Sequence, residues 1–123
     1  MERVTICASL KFKDQIRQAI TRLGEVEVEA MFPNLDSGIR KEDVTLELMR
    51  SLETEHFLAI NQSDGLYVIC PEGYIGSLVS AEMGYARAQE KPIICSEMPE
   101  DLGMQALMTN QIALEDIQDL KNL

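Results

Sequence analysis

Apolar and polar positions follow two rhythms along this chain, one of period two and one of period near 3.6, and together they predict its elements. Residues 4–8 form a short apolar run closed by Ser9, the pattern of a buried central strand. Phe12, Ile16, Ile20 and Leu23 then share one helical face with lysine and arginine opposite, and Gly24 is the expected stop. Residues 25–30, Glu-Val-Glu-Val-Glu-Ala, alternate strictly and predict a strand with one solvated face near a sheet edge. Residues 33–40 are rich in turn formers and read as a loop. Val44, Leu48, Leu52, Phe57 and Ile60 make a helical stripe over residues 41–61. Residues 66–70 are the most continuous apolar run, the mark of a central parallel strand. A glycine-bearing loop at 71–76, a helix at 77–89 and a buried strand at 92–95 follow. A short helix at 101–108, a last strand at 111–114 and a terminal helix at 115–123 complete the chain.

Strands alternating with helices specify an α/β fold, a parallel sheet covered on both faces. The expectation is one domain over residues 1–123, a doubly wound sheet of about five mainly parallel strands in a flavodoxin-like or Rossmann-like order. Ligands of such sheets bind outside the carboxyl ends of the strands, where the strand order reverses.

Charge and cysteine usage narrow the partners. With 21 acidic and 11 basic residues the net charge is −10, which disfavours a nucleic-acid polymer as partner. No apolar run approaches a membrane span and the start shows no signal-peptide pattern, so a cytoplasmic protein is expected. Three cysteines spread far apart make a disulfide framework improbable.

The chemistry concentrates after the third strand. Cys70-Pro71-Glu72-Gly73-Tyr74-Ile75-Gly76-Ser77 leaves a central strand and opens a helix. Gly73 and Gly76 permit unusual backbone angles and close approach of a ligand. Ser77 is placed to cap the helix or to meet a phosphate. Between Glu72 and Arg87 the sole charged residue is Glu82, set by helical spacing beside Leu78, Ala81, Tyr85 and Ala86, on or next to the sheet-facing side. A carboxylate there loses hydration and must be paired or hold its proton more tightly, which suits nucleophilic or acid/base work. A solvated surface glutamate is the alternative that pattern alone leaves open. Gly84 keeps the helix surface low for an approaching strand or ligand.

Residues 63–69 (Ser-Asp-Gly-Leu-Tyr-Val-Ile), the Gly73-Tyr74-Ile75-Gly76 loop, Glu82-Met83-Gly84-Tyr85-Ala86 and Lys91-Pro92-Ile93-Ile94 together resemble the nucleoside 2-deoxyribosyltransferase family, closest to its small uncharacterised branch. The resemblance implies that Glu82 is a catalytic glutamate attacking the anomeric carbon of a deoxyribose, and that Asp64 supports it. It implies ligand contacts from Ser9, Gly73, Tyr74, Gly76 and Ser77. A small-molecule nucleoside or nucleotide ligand and a homodimer or higher homo-oligomer also follow from it. The expected activity is transfer or hydrolysis at an N-glycosidic bond. The glycine loop carries no aspartate unless Glu72 substitutes, which favours a second reading, a nucleotide-binding or sensing module of the same fold without turnover. Asp64 has a plainer reading as a turn residue closing the preceding helix.

No motif asks for a cofactor. His56 is the single histidine, expected in a structural role, and no carboxylate or cysteine stands at ligand spacing from it to make a metal motif. Cys7, Cys70 and Cys95 each fall near the end of a predicted central strand, and packing is expected of them rather than a metal or redox cluster. Tyr74 and Tyr85 are candidates to stack on a base or line a pocket, Tyr85 equally a core residue.

Overall fold

A computed structural model describes residues 1–32, 35, 38 and 40–123. Strand β1 (Arg3–Cys7) leads through a single turn of 3-10 helix (Leu10–Phe12) into helix α1 (Lys13–Glu25) and then β2 (Glu29–Met31). Helix α2 (Leu46–Gln62), β3 (Gly65–Val68), α3 (Ser77–Ala88) and β4 (Ile93–Cys95) follow. The short helix α4 (Leu102–Leu107), β5 (Asn110–Gln111) and a 3-10 segment (Leu114–Asn122) end the chain. The strands form one sheet of order β2-β1-β3-β4-β5, and every neighbouring pair is parallel. The expected doubly wound architecture is therefore present, in the flavodoxin-like order.

Period-two alternation divides the sheet between two cores. Val4, Ile6, Tyr67 and Ile94 face α1 and the terminal 3-10 segment, packing with Ile16, Leu23, Ile117 and Leu120. Cys7, Leu66, Val68, Ile93 and Cys95 face α2 and α3, packing with Ile60, Val79, Met83 and Ala86. Both faces are dry, which is why residues 66–70 read as continuously apolar. Among the described residues no helix is long and apolar enough to cross a membrane.

Several boundaries differ from the sequence expectations for local reasons. Helix α1 runs past Gly24 and ends in a Schellman turn: the Val28 amide donates to the Leu23 carbonyl at 2.9 Å and the Glu27 amide to that of Gly24 at 3.1 Å. Glu27 takes the left-handed position at φ 61°, and Val28 is drawn into the cap. The alternating stretch 25–30 is thus mostly a helix terminus, and only Glu29–Met31 pairs with β1. Thr45, whose hydroxyl accepts from the Leu48 amide at 3.1 Å, starts α2 five residues later than the stripe predicts and leaves Val44 exposed. The last strand sits at Asn110–Gln111 rather than 111–114. The closing helix is of 3-10 form, in which Ile117 and Leu120, three apart, point the same way into the core. The expected 33–40 loop falls largely outside the described residues.

Helix α3 ends in the same turn with Glu90 at φ 59°, its amide donating to the Arg87 carbonyl at 2.9 Å. A left-handed glutamate is strained where glycine is not. Glu27→Gly and Glu90→Gly are therefore expected each to raise unfolding stability by about 0.5–1 kcal/mol, read from urea denaturation at constant slope.

Candidate functional site

The order of the sheet reverses between β1 and β3, so the carboxyl ends of these two strands flank the expected crevice. Cys7 ends β1 and pairs with Val68 at the end of β3. Helices α2 and α3 cover this face and bring two side chains to the same spot. His56 Nε2 lies 3.4 Å from Cys7 Sγ and 3.3 Å from Glu82 Oε1. All three groups are buried, with Glu82 only 4 % exposed. The predicted sheet-facing placement of Glu82 is what the structure shows.

A fourth group belongs with them. Glu53 stands one turn before His56 on α2, so both project from one helical face. Its carboxyl meets that of Glu82, and its buried Oε1 has no fixed N–H or O–H donor. Two carboxyls in contact can bond only if one keeps a proton. Burial first, and then the neighbouring Glu53, push Glu82 up to about 9. Burial holds His56 below its ordinary value, against the pull of Glu53 and the Ile6 carbonyl. Burial likewise raises the Cys7 thiol, with Glu82 and Glu53 adding to the effect. Near pH 7 the cluster thus pairs a neutral thiol, a neutral imidazole and a protonated Glu82, and the His56–Glu82 contact is a hydrogen bond rather than an ion pair. Phe32 closes over it edge-on, its ring 5.7 Å from that of His56.

The loops above β1 and β3 touch one another. Lys11 Nζ lies 3.5 Å from the centre of the Tyr74 ring, and Phe12 meets the same ring edge-on at 6.1 Å. Ser9 caps the 3-10 turn by accepting from the Lys11 amide at 3.4 Å. Gly76, not Ser77, is the N-cap of α3, and no side chain caps that end. Tyr74 is 44 % exposed and forms the outer wall of this lip.

One expectation is corrected. The structure does not bring Asp64 to Glu82: it precedes β3 at the amino ends of the strands, where its Oδ2 accepts from the Glu2 and Arg3 amides at 2.8 and 3.0 Å. These bonds hold its carboxyl below the usual range. Gly73 takes the unusual backbone angle expected of it, φ 79°, and packing also requires a glycine there, because a Cβ would stand 2.7 Å from the Glu100 nitrogen and 2.8 Å from the Met98 oxygen. Gly84 is exposed, with nothing within 4 Å of the space a Cβ would fill. Tyr85 takes the core alternative, stacking on Phe57 at 4.6 Å and donating to Asn61 Oδ1 at 2.9 Å.

The residues that sequence reasoning missed are Glu53 and the partnership of Cys7 and His56. Glu53-x-x-His56 is an i, i+3 pair visible in the sequence. Cys7 and Glu82 arrive from positions far apart in the chain, which spacing cannot reveal. Cys7 Sγ, His56 Nε2 and a Glu82 oxygen all lie within 4.8 Å of one another, a group that could hold a metal ion among the described residues. Cys70 and Cys95 are buried separately, beside each other and Ser96.

No family model matches the sequence, and no curated protein matches it. Solved structures do match, over 98 % of this chain in each case. A 2-deoxyribosyltransferase of the psychrotolerant bacterium Bacillus psychrosaccharolyticus aligns with a TM-score of 0.71 at 14 % identity, over 91 % of its own chain. A CMP N-glycosidase of Clostridium botulinum aligns at 0.64 and 18 % over 98 % of its chain. A conserved protein of Enterococcus faecalis V583 aligns at 0.61 and 15 % over 99 %. At these identities the likeness is one of fold.

Two outcomes follow. Asp64→Ala is expected to lower the unfolding midpoint at neutral pH while leaving the near-ultraviolet signature of the Tyr74 loop unchanged. Because the folded pKa of Asp64 is depressed, that difference from the parent is lost as pH falls through it. Glu82 has the opposite sign: a carboxyl raised from 4.5 to about 9 loses stability as pH rises across that window. In chelator-treated protein Glu82→Gln is therefore expected to flatten this decline and to melt a few degrees higher than the parent at pH 8.5, by calorimetry.

Proposed function

We propose that this protein breaks or exchanges the N-glycosidic bond of a (deoxy)nucleoside or nucleotide, with Glu82 as nucleophile. The observation that carries the reading is the buried Glu82 carboxyl, met by that of Glu53 and held 3.3 Å from His56 Nε2, on the α2–α3 face of the sheet. Such a pair has two protonation states to offer, and glycoside chemistry uses both. The fold likeness to a 2-deoxyribosyltransferase and a CMP N-glycosidase supports the choice of bond.

With the shared proton on Glu53, the Glu82 carboxylate attacks the anomeric carbon. The carbon–nitrogen bond breaks, its electron pair leaves with the nucleobase, and Glu53 delivers the proton to that base. An ester to Glu82 remains. Water, or the nitrogen of a second base, then attacks the anomeric carbon, Glu53 takes up the proton released, and Glu82 leaves as carboxylate. Burial that raises Glu82 in the resting protein also strengthens its interaction with the positive charge that develops on the sugar. His56 positions Glu82 through their 3.3 Å contact. Ser9, Lys11 and Tyr74, with the uncapped start of α3 at Gly76 and Ser77, make the lip that receives sugar or phosphate. Asp64 and Gly73 have no part in this scheme. A homo-oligomer, with a neighbouring copy completing the lip, belongs to the same reading.

The assay incubates the protein with a panel of deoxynucleosides, ribonucleosides and their 5′-monophosphates, with and without a free acceptor base. Base release or exchange is expected, falling on the order of 1,000-fold or more in both Glu82→Ala and Glu82→Gln. Saturable binding of a panel member with no turnover above the Glu82→Ala control would instead make this a sensing module.

A further inference from the structure

We propose that Cys7 Sγ, His56 Nε2 and a Glu82 carboxylate oxygen form a three-ligand Zn²⁺ site in the heart of the fold. The donors come from three elements, β1, α2 and α3, and converge on one point. Their spacing fits the ion. Tetrahedral zinc with Zn–S of about 2.3 Å and Zn–N and Zn–O of about 2.0–2.1 Å places sulfur about 3.5 Å from nitrogen and nitrogen about 3.3 Å from oxygen. The distances here are 3.4 Å and 3.3 Å. The set therefore needs almost no rearrangement to close on a cation.

The chemistry of the donors selects the metal. Mg²⁺ and Ca²⁺ take oxygen ligands, whereas thiolate and imidazole together suit Zn²⁺. Glu53 stands beside the three donors, against Glu82, rather than among them. It stands one helical turn from His56, its Oε1 is buried without a donor, and it already meets Glu82. The charges also balance. On binding, the Cys7 thiol and the Glu82 carboxyl each give up a proton, and a thiolate, a carboxylate and a neutral imidazole around a divalent ion leave no net charge. Phe32 meets the imidazole edge-on and the second apolar core lies beneath the donors.

Occupation has a consequence for the reaction proposed above, and on this point alone the inference rests on that reading. Zinc on a Glu82 oxygen removes the nucleophile, so the ion is a reversible off-switch rather than a catalyst. The binding itself is independent of turnover.

The test titrates the metal-free protein with Co²⁺ and then displaces it with Zn²⁺, following absorbance, with equilibrium dialysis for stoichiometry. One equivalent per chain is expected, with a thiolate-to-cobalt charge-transfer band that Zn²⁺ abolishes. Cys7→Ser is expected to eliminate the band and His56→Gln to weaken Zn²⁺ affinity on the order of 100-fold, whereas Cys70→Ser retains both. The parent's own band reports thiolate ligation even if a variant fails to fold. Absence of the band, or binding that Cys7→Ser and His56→Gln leave unchanged, overturns the site and assigns any uptake to surface carboxylates. Base release that proceeds undiminished with one Zn²⁺ bound overturns the off-switch. A protein that binds zinc through Cys7 yet turns over no panel member keeps the site and loses the reaction.

Discussion

The parallel pairing of β1 with β3 is the constraint on which the rest depends. Its register, from Val4 opposite Gly65 to Cys7 opposite Val68, sets which end of each strand meets the loops. It also sends alternate side chains to the two cores without exception. Gly65 makes the pairing possible at its entry, since a Cβ there would stand 2.8 Å from the Pro92 oxygen and 2.9 Å from the Met1 side chain. A one-residue slip would exchange the two cores and carry Cys7 away from α2 and α3. The cluster of Cys7, His56, Glu53 and Glu82 exists because this register is held.

That cluster is an unusual thing for a small α/β protein to keep. Sheet-facing positions of α3 are otherwise Val79, Met83 and Ala86, and an apolar residue at 82 would extend the same core. A buried carboxyl is costly unless something balances it. Here the balance is local: a second carboxyl, an imidazole and a thiol, drawn from three separate elements. A proton and a divalent cation are both chemically able to complete such a set. The sugar cation of the proposed reaction would be a third positive species of the same kind.

Much of the architecture was legible because both faces of the sheet are covered. Continuous apolar runs at 4–8, 66–70 and 92–95 could only be buried strands, and the stripe of Ile16, Ile20 and Leu23 could only be a covering helix. The errors arose where backbone hydrogen bonding overrode pattern. Glu25 to Ala30 alternates, yet the Schellman turn consumes Val26 to Val28 because Glu27 accepts a left-handed conformation usually reserved for glycine. The position of Glu82 could be read from its isolation among apolar neighbours. Its partners could not, since Cys7 and His56 meet it only through tertiary packing. Asp64 misled because proximity in sequence to a central strand says nothing about which end of that strand a side chain serves.

The placement of Asp64 divides the molecule's labour between the two ends of its strands. At the amino ends Asp64 receives the Glu2 and Arg3 amides, Lys91 donates to the Ile60 and Asn61 carbonyls at the end of α2, and Arg3 pairs with Glu29. None of these groups borders the Cys7–His56–Glu82 cluster. Substitutions in the Ser9–Phe12 and Tyr74–Ser77 loops can therefore accumulate without loosening the clamp that aligns the strands. A lineage, or a designer, is free to change the loops at the carboxyl ends of β1 and β3 while the amino ends preserve the register beneath them.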